Sequence, residues 1–190
     1  MDFNPAKKEL ARAKKCINRM KEAKNYEEFE ESWGDFLSRV ENIFTKISLA
    51  CSPNKRFVGF CSKTNQLRRT DEVLIYLKQA RNVVHHGIHD TSKLVPRSMV
   101  VKAADKTKPS LVKKMVIGPS FFELESDDDF IIIFNQEKIE VIQFVNRGVV
   151  YNTPKNHLGK PLISTSPFEI AELGVEFYEN FLSSAEEFFK

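Results

Sequence analysis

A chain of 190 residues, 42% hydrophobic and 29% charged, is long enough to bury one sizeable core and has an ordinary globular composition. Its formal net charge of +3 neither demands nor excludes a nucleic-acid ligand. No apolar run reaches membrane-spanning length, and Met1-Asp2-Phe3-Asn4-Pro5 lacks the regions of a signal peptide. Cys16, Cys51 and Cys61 follow no metal-type spacing and read as reduced thiols. A cytoplasmic protein with no membrane segment, folded as one domain over residues 1–190, is the expectation.

Residues 5 to about 24 predict a first helix, with Leu10, Ala13, Ile17 and Met20 on one stripe, Pro5 at the first position and Asn4 as cap. Lys8, Arg12, Lys15 and Arg19 surround that stripe; they suit a solvated face, and they also suit RNA phosphates. Asn25 and Glu28 form a capping box for a second helix, which runs to about Ala50 on Phe29, Trp33, Phe36, Leu37, Val40, Phe44 and Ile47. Residues 54–69 are expected to be a short helical turn or packed loop. Thr70 is then expected to cap a third helix, with Gly87 closing it and Ile88 making the Schellman contact.

After Pro96 the apolar period changes to two, predicting strands over 98–104, 111–117, 121–125, 130–134, 139–145 and 149–151. Short connections favour an antiparallel meander. The run Asp127-Asp128-Asp129 reads as a solvated hairpin tip, not a cation site. Residues 153–165 form a loop carrying His157, and Ser166 to Glu169 is a capping box for the last helix, with core stripe Ile170, Leu173, Phe177, Phe181, Ala185 and Phe188. The predicted fold class is α+β: about four main helices, over 5–90 and 166–190, with a small antiparallel sheet, about 97–152, inserted between the third and the last.

The end of the third helix, Arg81-Asn82-Val83-Val84-His85-His86-Gly87, concentrates a fixed cation, an amide and two imidazoles. Arg binds phosphate, and His moves protons near neutral pH. On a helical wheel Val73, Leu77, Ala80 and Val84 face the core, Lys78, Arg81 and His85 border it, and Ile75, Gln79, Asn82 and His86 lie further out. An outward Ile75 beside these polar groups suggests cover by a second copy in a C2 homodimer. Unpaired carbonyls at a helix C-terminus favour the protonated imidazole, which suits a general acid. The same residues also fit a purely structural role, capping carbonyls or meeting an acid elsewhere. A metal site built from His85, His86, His89 and Asp90 lacks the glutamate that accompanies a zinc-peptidase histidine pair.

With those residues in view, Arg81-Asn82-Val83-Val84-His85-His86 resembles the arginine, polar residue, then histidine motif of HEPN-superfamily domains, and its place late in an internal helix is similar too. The resemblance implies a HEPN-like helical bundle and a metal-independent endoribonuclease active as a homodimer, in a toxin–antitoxin, stress or phage-defence setting. It implies Arg81 and His86 as the catalytic pair and Asn82 as the accessory polar group. The implied reaction is attack of a ribose 2′-hydroxyl on the adjacent phosphorus, leaving a cyclic phosphate. His85, His89 and His157 are possible accessory groups. Lys8, Arg12, Lys15, Arg19 and Lys78 are candidates for holding RNA, no cofactor or metal is expected, and a cognate antitoxin is a possible partner. The inserted strands depart from the minimal bundle. A noncatalytic RNA- or protein-binding HEPN-like module is the alternative.

Overall fold

The computed structural model describes residues 1–87, 89–119 and 121–190, so the contact assigned to Ile88 lies outside the described residues. The class is α+β, with five helices and small antiparallel ladders among the described residues. The chain divides into two compact units, one of residues 1–94 and 139–190, the other of residues 95–138.

The larger unit is a helical bundle centred on helix α2 (Tyr26–Cys51). Asn25 opens it as expected: its Oδ1 accepts the Glu28 N–H at 2.9 Å, and Glu28 accepts the Lys24 N–H at 2.9 Å. Phe29, Trp33, Phe36, Leu37, Val40 and Ile47 are fully buried, joined by Ile43, whereas Phe44 packs at the margin. Helix α1 (Asn4–Glu22) lays Leu10, Ala13, Ile17 and Met20 onto α2. Asn4 is its first residue and not its cap, and the Asn4 N–H finds Asp2 Oδ1 at 2.9 Å instead.

Residues 54–69 differ from expectation. Most of them form a full helix, α3 (Phe57–Thr70), although only Cys61 and Arg68 on it are buried. Its anchors are tertiary. Phe60 stacks on Phe181 and Phe188, with centroids 5.5 and 5.0 Å away. Arg68 lies 3.7 Å above the Phe44 ring, donates to both Glu41 oxygens at 2.8 and 3.0 Å, and donates to the Tyr178 hydroxyl. The fourth helix, α4 (Glu72–His85), is therefore capped by Asp71 and not by Thr70, with Leu74 N–H to Asp71 Oδ1 at 3.0 Å. Val84 is only half-buried, while Tyr76 and Val83 complete the core face.

The chain then runs through strands β1 (Ser92–Val95), β2 (Ser98–Ala103), β3 (Val112–Ile117), β4 (Phe122–Ser126), β5 (Phe130–Asn135), β6 (Lys138–Val141), β7 (Phe144–Asn146), β8 (Val149–Tyr151), β9 (Asn156–His157) and β10 (Lys160–Pro161) to helix α5 (Pro167–Phe188). They form two-stranded ladders and not one meander: β1 with β6, β2 with β5, β3 with β4, β7 with β8 and β9 with β10. The predicted strand 139–145 is broken at Ile142, whose N–H and carbonyl turn inward to Thr91 and to the Tyr76 hydroxyl. Arg147-Gly148 and Leu158-Gly159, both at positive φ, make the two-residue hairpin turns of β7–β8 and β9–β10.

The smaller unit is an interrupted ribbon. The β2–β5 ladder runs from Ser98 opposite Asn135 to Ala103 opposite Phe130, and the β3–β4 hairpin lies between these two strands in sequence. No described residue from Val95 to Lys138 is buried.

Helix α5 closes the larger unit with Ser166 Oγ accepting the Phe168 N–H at 3.3 Å. Its core face includes Ala171, Gly174, Val175, Tyr178 and Leu182, whereas Phe188 is 44% exposed. Along its flank a ladder forms with α1: Lys7–Glu186, Lys14–Glu179 and Lys21–Glu172, at 2.6, 2.7 and 2.6 Å. Both sets repeat every seven residues, which fits two antiparallel helices. Among the described residues, no helix is long and apolar enough to cross a membrane.

Arg68 is the buried charge on which α3 depends. Arg68→Met leaves Glu41 and Tyr178 without their donor and is expected to lower stability by about 3 kcal/mol in urea denaturation. Adding Glu41→Leu is expected to restore a large part of that loss, because both charges then leave together.

Candidate functional site

The C-terminal turn of α4 carries the sequence-predicted group. Arg81 and Asn82 are half-buried, and His85 and His86 are exposed. Arg81 Nη1 donates to Asn82 Oδ1 at 3.3 Å, and Arg81 Nε is buried with no hydrogen-bond partner among the described residues. The His86 N–H reaches the Asn82 carbonyl at 3.3 Å as the helix ends, and Gly87, at φ 60°, closes the turn through Val84. The His85 and His86 rings lie 5.8 Å apart. Arg12, Arg19, Arg39 and Arg68 are each held by a carboxylate. Arg81 makes no ion pair among the described residues, so its guanidinium retains donors for an anion.

Beside this turn lies a cleft of about 270 Å³, lined by Glu30, Trp33, Val84, Gly87, His89 and Asp90. Burial, followed by repulsion from Asp90 and Glu27, pushes the Glu30 carboxyl above its ordinary range. Glu30 was not singled out in the sequence because Asp90, which faces it across the cleft, is 60 residues away along the chain. His89 is exposed on the border of the cleft. Among the described residues, no group of three or more His, Cys, Asp or Glu is placed to hold a metal ion.

The outward line of α4 is partly covered by the chain itself. Gln79 accepts from Asn146 Nδ2 of β7 at 2.8 Å, and Ile75 is half-buried beside a cleft of about 600 Å³ shared with Val150, Tyr151 and Lys155. Lys78 is half-buried nearby in sequence.

Within the chain, His157 does not join this group. Its Nδ1 bonds Asp71 Oδ1 at 2.9 Å, at the opposite end of α4. Fourteen helical residues, about 20 Å, separate the two ends. The neighbouring Leu158 N–H donates to Asp71 Oδ2 at 2.7 Å, and Glu72 accepts from the Lys155 and Asn156 N–H groups at 2.6 and 3.3 Å. His157 also borders an apolar groove of about 590 Å³ between α3, α5 and residues 157–163, with Phe60, Leu67, Leu162, Leu173 and Phe177 among its walls.

The basic face of α1 is largely committed. Arg12 and Arg39 share Glu9, at 2.5 and 3.2 Å, and Arg19 pairs with Asp35 at 2.7 Å. Lys8 and Lys15 remain exposed on the same helix. The charge of Arg12 and of Arg19 is thus already partly balanced by an internal carboxylate, which weakens what either offers an RNA phosphate.

Compared with family models, curated proteins and solved structures, the chain finds no match.

The Asp71 junction predicts a pH dependence. Burial alone would raise its carboxyl, but hydrogen bonds from His157, Leu158 and Leu74 together hold it below the ordinary value. A lowered carboxyl contributes stability above the unfolded value of about 3.9, and that contribution is lost as pH falls through the folded value. Asp71→Asn, which keeps an N-cap acceptor, is expected to flatten the acid limb of stability against pH, followed by urea denaturation between pH 6 and pH 3.

Proposed function

We propose that the protein is a metal-independent endoribonuclease of HEPN type, cytoplasmic and active as a homodimer, in a toxin–antitoxin, stress or phage-defence setting. The observation that carries the reading is the Arg81 guanidinium, which makes no ion pair among the described residues, beside Asn82 and one turn from two exposed imidazoles. Arg81 neutralises the phosphate and the charge developing on it in the transition state. His86 transfers protons between the attacking 2′-hydroxyl, the leaving 5′-oxygen and water. Asn82 Oδ1 is spent on Arg81, so its amide donors are the part that faces substrate.

A second reading, a noncatalytic binding module for RNA or a protein such as a cognate antitoxin, is favoured by the apolar groove between α3 and α5, which the ribonuclease reading leaves unused.

The two readings separate in an assay of the purified full chain on RNA in EDTA. The ribonuclease reading expects cyclic phosphate ends, and a fall in cleavage rate of about 100-fold or more for Arg81→Ala and for His86→Ala. His85→Ala is expected to change the rate far less. Persistent cleavage in both of the first two variants would remove Arg81 and His86 from the site, and no cleavage by folded wild type would leave the binding module.

A further inference from the structure

The smaller unit carries a strand with the composition of a core and no core to enter. Along β5, Ile131, Ile132, Ile133 and Phe134 are 52, 38, 38 and 65% exposed. Its partner β2 covers one edge only, and no other strand among the described residues occupies the second. A two-stranded ribbon is at best marginally stable in water, and an open apolar edge is a template for another strand.

The charge pattern narrows what that strand can be. Residues 95–138 hold seven Lys or Arg and seven Asp or Glu, so the unit has no net charge, and nucleic acid would find no electrostatic footprint there. Residues 130–136 carry no charge at all. Two copies of β5 can therefore lie side by side without opposing like charges.

Sequence symmetry then supplies the register. Phe130-Ile131-Ile132-Ile133-Phe134 reads identically in both directions. An interface on a twofold axis requires that residue i meet residue j and that j meet i. Antiparallel pairing centred on Ile132 satisfies this: Phe130 meets Phe134 of the partner subunit, Ile131 meets Ile133 of the partner subunit, and Ile132 meets Ile132 of the partner subunit. Each cross-strand pair is then aromatic with aromatic or β-branched with β-branched, combinations that stabilise a ladder. A shift by one residue would set Phe against Ile and lose the match.

We propose that the outer edge of β5 binds a second copy of this chain, forming a four-stranded antiparallel sheet in the order β2, β5, β5, β2 about a twofold axis at Ile132. The proposal does not rest on the ribonuclease reading, and the dimer it predicts exists whether or not RNA is cut.

The test uses the full chain in sedimentation at micromolar concentration. Wild type is expected at twice the mass of one chain. Ile132→Lys and Ile132→Glu, each placing like charges on the axis, are expected to dissociate at least tenfold more readily. An equal mixture of the two is expected to re-form the dimer. Ile132→Cys is expected to cross-link between copies on mild oxidation, because opposed strand positions lie 4.5–5.5 Å apart between Cα atoms, within disulfide range. Ile131→Cys, offset from its own copy by two residues across the axis, is not. A monomeric wild type, a dimer indifferent to both charges at 132, or charge variants whose mixture stays monomeric would each overturn the proposal. If a charged variant fails to fold, the cysteine pair decides alone, with equal cross-linking at 131 and 132 counting against the register.

Discussion

Asp71 is the only residue between α3 and α4, and three parts of the larger unit converge on it. Its N–H closes α3 on the Leu67 carbonyl, its Oδ1 caps α4, and the two oxygens together hold His157 and Leu158. The direction in which α4 leaves this joint determines where its far end lies, and hence where Arg81 and the two exposed imidazoles point. Tyr76, one turn further on, extends the restraint. Its hydroxyl meets the Thr91 and Ile142 carbonyls at 2.5 and 2.9 Å, and Thr91 Oγ1 accepts the Trp33 indole N–H at 2.9 Å. The segments on either side of the ribbon are thus tied to α4 and α2 through single polar contacts within an apolar core.

Periodicity and capping chemistry made α1, α2, α4 and α5 legible, because each buries a dense stripe. Helix α3 was not legible for a physical reason: its buried side chains are few, and Phe60 and Arg68 are held by partners more than 100 residues away, as well as by Glu41 and Phe44 on α2. Missing α3 also misplaced the cap of α4 by one residue, since Thr70 was free to be read as a start and not as a last turn. The strands were visible as period-two segments, but their partners were not. Short connections suit a meander and nested ladders equally, and the break at Ile142 depends on carbonyl partners that no local pattern encodes.

At the candidate site, the sequence grouped Arg81, Asn82, His85 and His86 at the end of one helix, and the structure bonds the first two to each other while both imidazoles stay exposed. The place of His157 at the opposite end of α4 was not legible, because a loop position says nothing about which end of a helix it meets. The cationic face of α1 shows the general difficulty. Charges counted along one helix are a property of the sequence, whereas their availability depends on Glu9, Asp35 and the α5 glutamates that the fold brings alongside. The sevenfold spacing of Lys7, Lys14 and Lys21 was present all along, as was that of Glu172, Glu179 and Glu186, but only an antiparallel α1–α5 arrangement converts two repeats into one ladder. Each rung is about half exposed and individually weak, so the ladder fixes orientation and register more than it adds stability.

The three cysteines have a use unrelated to any chemistry of their own. Cys16, Cys51 and Cys61 are free and buried, one each on α1, α2 and α3. Burial pushes the Cys61 thiol up to about 11 and raises Cys51 as well, so a reagent that reached either of these two would meet little thiolate. Alkylation therefore waits on local opening, and its rate at each thiol measures how often that helix leaves the bundle. The native chain thus carries three built-in reporters of breathing, able to tell whether thinly packed α3 detaches ahead of the α1–α2 pair.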